Sequence, residues 1–90
     1  MRKIFKNQLT SYYEELELPK NLKVVHFEKQ NEVPCMWYEF DTDAPLVATT
    51  IMVFGTGHII EDDSFEHIGT IQDRGYVWHY YMKQPHGFKD

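Results

Sequence analysis

The sequence predicts an all-β domain, a small sandwich or partly open barrel of about seven short strands. Three observations point there. β-Branched and aromatic residues alternate with polar ones in short runs, the pattern of strands with one face buried. Turn signals built from Pro, Gly, Asn and Asp recur at intervals of about ten residues. No stretch carries apolar residues at the spacing of an amphipathic helix. A short helical turn at 11–13 or 46–48 is the most helix the pattern allows.

Arg2 to Leu9 reads as the first strand. Glu14 to Leu18 alternates cleanly, with Glu15 and Glu17 on one side and Leu16 and Leu18 on the other. Pro19-Lys20-Asn21 then ends it, since proline cannot donate to a ladder. Leu22 to Lys29 and Pro34 to Phe40 form the best hairpin candidate, joined by the polar turn Gln30-Asn31-Glu32. Leu22, Val24 and His26 are expected on one face and Lys23, Val25 and Phe27 on the other. After a turn-rich connection from Asp41 to Pro45, Thr49 to Gly55 is the fifth strand. Gly55-Thr56-Gly57-His58 makes a turn, and Glu61 to Phe65 an acidic, exposed loop. Glu66 to Gln72 and Tyr76 to Met82 close the fold as a hairpin around Asp73-Arg74-Gly75. Residues 1–90 are expected to be one domain, with a loose tail over 83–90.

Six Phe, six Tyr and two Trp in 90 residues are many rings for one thin core. In the last strand Trp78 and Tyr80 face one way while His79 and Tyr81 face the other. If one face is core, the second needs a cover, and a ligand or a second copy of the chain is the expected source. The net charge of −5 argues against broad binding to duplex nucleic acid. No apolar run reaches the roughly 20 residues of a membrane span. A single cysteine, Cys35, cannot form an internal disulfide and reads as core. The beginning of the chain lacks a signal-peptide pattern, and a reducing cytoplasm is the expected setting.

Gly55-Thr56-Gly57-His58 is the leading candidate for chemistry. Its glycines permit positive φ, so consecutive amides can cup an anion while Thr56 and His58 add hydrogen bonds. The alternative is a plain turn between strands, because the segment is shorter than either nucleotide fingerprint. Arg74 can pair with a phosphate, and Trp78 and Trp37 can stack on a planar ring. The five histidines lack metal-ligand spacing, and neither metal nor cofactor is expected. His26 and His79 read as tucked imidazoles. His67-Ile68-Gly69-Thr70 invites comparison with phosphoesterases that use two His-x-Thr elements. Its spacing is one residue too long, however, and no second copy is visible. No catalytic set is expected.

Several segments together resemble a small uncharacterised domain family of bacteriophages and their hosts. They are Lys3-Ile4-Phe5-Lys6, Glu17-Leu18-Pro19-Lys20, Gln30-Asn31 with Pro34 and Trp37, Asp43-Ala44-Pro45-Leu46, Gly55-Thr56-Gly57-His58-Ile59, Ile68-Gly69-Thr70-Ile71-Gln72 and Val77-Trp78-His79. Asn21 and Glu32 stand where the family pattern expects glycine. The resemblance implies a β-rich fold and a phage origin, and it brings no site residues. The expected function is a small phage-encoded binding protein, a homo-oligomer in the host cytoplasm. It would sequester a nucleotide-derived immune signal, a cyclic dinucleotide or an ADP-ribose derivative, through Gly55, Thr56, Gly57, His58, Arg74, Trp78 and Trp37. The alternative is a protein-interaction module docking on a host or phage protein.

Overall fold

The computed structural model describes residues 1–85. Its strands are β1 (Arg2–Gln8), β2 (Tyr13–Pro19), β3 (Lys23–Gln30), β4 (Val33–Asp41), β5 (Leu46–Gly55), β6 (Glu66–Asp73) and β7 (Tyr76–Lys83). They form two antiparallel sheets, one of order β1-β4-β3 and one of order β2-β5-β7-β6. The sheets do not close into a barrel, so the architecture is sandwich-like. No helix occurs among the described residues; 46–48 begin β5, and 11–13 lead into β2.

Period-two alternation places the core. Leu16 and Leu18 of β2, Met36 and Tyr38 of β4, Ile51 of β5 and Tyr80 and Met82 of β7 all point between the sheets. Leu9, Leu22 and Ile71 complete the cluster. Thr49 is the one buried polar residue among those described, and its hydroxyl donates to the Val47 carbonyl at 3.1 Å. Cys35 is fully buried.

The sheets meet at the edges β3 and β6. A Cβ built on Gly69 of β6 would lie 2.7 Å from the Phe27 Cβ of β3 and nearer still to its ring. Glycine is therefore required there, and the Phe27 ring goes on to meet Tyr80 at 4.9 Å between centroids. Lys29 of β3 adds a cross-sheet ion pair to Asp73 of β6 at 3.5 Å.

Both of these edges are bulged. In β3 the register shifts between Val24 and His26, leaving Val25 as the extra residue. The bulge inverts the alternation beyond it. Phe27 therefore turns inward with Val24, and His26 is exposed rather than tucked. The shift in β6 lies between His67 and Gly69, with Ile68 extra.

Two hairpins have two-residue loops with both residues at positive φ: Asn31 and Glu32 at 52° and 68°, Arg74 and Gly75 at 54° and 88°. That is the pattern of a type I′ turn, whose twist matches the flanking strands. Asn21, in the β2–β3 turn, also has φ of 63°. Both positions at which the resemblance expects glycine are therefore left-handed. The expected loose tail begins too early: Lys83 ends β7, and the Gln84 amide donates to Pro19 O and Thr49 Oγ1 at 2.9 and 3.0 Å. The remainder of that tail, 86–90, lies outside the described residues.

Gly69→Ala is expected to lower stability by about 1–3 kcal/mol in urea unfolding. Most of that loss should vanish in a Phe27→Ala background, because the clash needs both partners. Glu32→Gly should raise stability by about 0.5–1 kcal/mol, since glycine removes the left-handed penalty and the exposed Lys29–Glu32 pair contributes little. A lower midpoint for this variant would contradict the turn assignment.

Candidate functional site

Residues 55–58 form a β-turn closed by the His58 N–H donating to the Gly55 carbonyl at 3.0 Å. Gly57, with φ of 93°, occupies the third position, where a type II turn demands positive φ. The Gly55 N–H donates to His58 Nδ1 at 3.0 Å. A neutral His58 ring therefore carries its proton on Nε2. Two of the four amides are engaged inside the turn, so the expected anion cup is reduced to at most those of Thr56 and Gly57.

Gly55 pairs with Trp78 across β5 and β7. A Cβ on Gly55 would lie 3.1 Å from His58 Cε1 and 3.4 Å from Trp78 Cζ3. The missing side chain lets both rings close on one point of backbone. The structure thus assembles Gly55, Thr56, Gly57, His58 and Trp78 at one end of the four-stranded sheet. It does not bring in the other two expected residues. Arg74 is exposed at the β6–β7 hairpin tip, and Trp37 lies on the outer face of the other sheet, against His26 and Lys6.

Trp78 also walls a cavity of about 380 Å³ between the sheets. Its ring stacks on Tyr76 at 5.9 Å and tilts against Tyr12 at 5.6 Å. Lys29, Glu32 and Asp73 line the same space, the lysine standing 3.6 Å from Glu32 and 3.5 Å from Asp73. Planar faces beside carboxylates and an ammonium suit an aromatic heterocycle carrying hydroxyl or anionic groups.

The opposite face of β7 is covered by the chain itself. Residues 56–65 cross β7 on the way from β5 to β6, and Phe65 meets Phe54 at 5.9 Å between ring centroids. Asp62 pairs with Lys83 at 2.7 Å, and the Lys83 ammonium sits 5.0 Å from the Phe65 centroid. The β5–β6 connection thus supplies cover over part of this face, at Phe54, Tyr81 and Lys83.

Beside that connection, at the exposed surface, runs a hydrogen-bonded chain. Thr56 Oγ1 lies 3.0 Å from His79 Nε2, His79 Nδ1 lies 3.2 Å from Thr70 Oγ1, and Thr70 Oγ1 lies 2.7 Å from His67 Nε2. The Ile68 bulge makes this possible. It absorbs the surplus residue between His67 and Thr70, so both fall on the outer face opposite Tyr81 and His79. The two His–Thr pairs are shared around one ring rather than facing one substrate. Both nitrogens of His79 are occupied by hydroxyls, so this ring is placed as a structural link.

Sequence reasoning missed Tyr12, Lys29, Glu32 and Asp73 as cavity residues, because they come together only across strand ends. For the His–Thr chain one signal was readable: a glycine inside a strand, here Gly69, often marks a bulge. Among the described residues no three His, Cys, Asp or Glu side chains are grouped to hold a metal. No helix there is long and apolar enough to cross a membrane.

Fold and site together define a small two-sheet β domain with an aromatic-walled cavity at one end. The chain belongs to the DUF7352 family, a domain of unknown function, whose match spans residues 1–87. No curated protein and no solved structure matches the chain.

The Asp62 tie gives a pH prediction. Hydrogen bonds from Lys83, then from the Ser64 hydroxyl and amide, hold the Asp62 carboxyl far below its usual value of 3.8. A depressed folded-state pKa stabilises the fold above the unfolded value, and that contribution is lost as pH falls. Wild type should exceed Asp62→Asn in thermal midpoint at neutral pH, with the gap closing below about pH 4. A gap that stays constant to pH 2 would contradict this linkage.

Proposed function

We propose that the chain is a phage-encoded binding protein that sequesters a nucleotide-derived host immune signal without catalysis. The cavity walled by Trp78 carries this reading. Its volume of about 380 Å³ falls in the range of small-molecule sites. Tyr12 and Trp78 offer ring faces for a base, and Asp73 and Glu32 offer acceptors for ribose hydroxyls. Lys29, now balanced by those carboxylates, can turn to a phosphate. Gly55, with His58 close to it, adjoins the same tryptophan. The phage setting and the ligand class, a cyclic dinucleotide or an ADP-ribose derivative held in the host cytoplasm, rest on the family resemblance. The same reading includes self-association of the chain.

A second reading, docking of a host or phage protein, is favoured by the exposure of Tyr12, Tyr13 and Tyr76 near the cavity, at 65%, 54% and 65%.

Isothermal titration against a panel of cyclic dinucleotides and ADP-ribose derivatives is expected to give saturable heat with at least one. The ligand should return chemically intact after denaturation of the complex. Trp78→Ala should weaken binding by roughly tenfold or more, the worth of one stacked base. Lys29→Ala should weaken it less, with the fold retained by circular dichroism. A panel without heat, together with a stoichiometric protein recovered from infected cells, would favour the second reading instead.

A further inference from the structure

The two strand edges facing away from the β3–β6 contact are β1 and β2, and among the described residues neither has a strand paired on its outer side. Their charges are fully segregated. Arg2, Lys3 and Lys6 give β1 three cations and no carboxylate, while Glu14, Glu15 and Glu17 give β2 three carboxylates and no cation. Both strands are seven residues long. β1 is open on both faces, with Ile4 and Phe5 exposed by 59% and 48%, and Tyr13 on β2 is exposed by 54%. Charged side chains on an exposed edge oppose pairing with a like edge. Here they repel β1 from β1 and β2 from β2, yet attract β1 to β2.

We propose that two copies of this chain associate edge to edge, β1 of one copy adding to β2 of the other. This rests on the self-association in the functional reading and is independent of any ligand. One chain carries both complementary edges, so no other partner is needed. In a two-fold arrangement the pairing occurs twice. Each three-stranded sheet then continues into the four-stranded sheet of the second copy, and only β3 and β6 remain as edges, packed against each other within each copy. Pro19 ends β2 at its last position, so its missing donor falls at the end of the new ladder. Burial of Ile4, Phe5 and Tyr13 adds an apolar contribution to the backbone hydrogen bonds.

Sedimentation velocity of the full chain, without ligand, tests the interface. At about 20 mM salt a species of twice 10.8 kDa is expected at micromolar concentrations, shifting toward monomer at about 500 mM. Lys6→Glu and Glu17→Lys should each weaken association by about tenfold, since both side chains stand on the outer face of their strands and each substitution places like charges across both copies of the pairing. Combining the two substitutions should restore most of the lost affinity. Circular dichroism of each variant separates lost association from lost fold. A monomer at every concentration in low salt would overturn the proposal. So would a dimer indifferent to both substitutions, or a double variant no better than either single one. Because no ligand enters, failure here is distinct from failure of the titrations.

Discussion

Because Gly69 lacks a side chain, the Phe27 ring can press directly on the β6 backbone, and this contact sets how the two sheets meet. No residue with a Cβ at position 69 leaves room for the ring. The contact needs edges that approach without merging into one ladder. Both strands achieve this with a bulge placed next to it, at Val25 in β3 and at Ile68 in β6. Bulges bend and twist an edge strand and interrupt its pairing. Once β3 and β6 are held this way, the inner faces of β4, β5 and β7 enclose one core, and β1 and β2 are left at the far side.

The bulges that serve this contact also determine which side chains can act. Beyond Val25, the sense of β3 reverses, so His26 faces solvent while Phe27 enters the core. Beyond Ile68, His67 and Thr70 share the outer face and join His79 and Thr56 in one chain of hydrogen bonds. That chain ties β6 and β7 to the turn that opens the β5–β6 connection. Lys83 and Asp62 fasten the other end of the same connection. The crossing segment is therefore pinned at both ends over β7.

The strands themselves are legible because alternation reports burial on a half-exposed sheet. Glu15 and Glu17 against Leu16 and Leu18 is such a case, and the observed exposure follows it residue by residue. All seven expected strands are present, with bounds shifted by a few residues at their ends. What alternation cannot encode is a bulge, since one extra residue looks like any other in a polar-apolar string. Hence the misplacement of His26 and the apparent misfit of His67 with Thr70. Sheet membership is equally hidden: Trp37 and Trp78 have similar contexts in sequence, yet they lie in different sheets. The cavity draws on Tyr12, Lys29, Asp73 and Trp78, which are brought together by the end-on meeting of four separate segments.

These constraints converge on β7. It is flanked by β5 and β6, so its backbone is paired on both sides, and its two faces can diverge in chemistry. Trp78, Tyr80 and Met82 form the inner row, of which Trp78 and Tyr80 line the cavity, and Trp78 meets the rings of Tyr12 and Tyr76. His79, Tyr81 and Lys83 form the outer row and are engaged by the chain's own crossing segment. With the outer row engaged internally, the Trp78 end of the inner row lies beside the exposed rings of Tyr12 and Tyr76. A central strand paired on both sides thus fixes where Trp78 stands, and Gly55, without a side chain, leaves space beside its ring. The Gly55-Thr56-Gly57-His58 turn ends the neighbouring strand beside that ring, with the Gly55 and His58 amides engaged inside the turn.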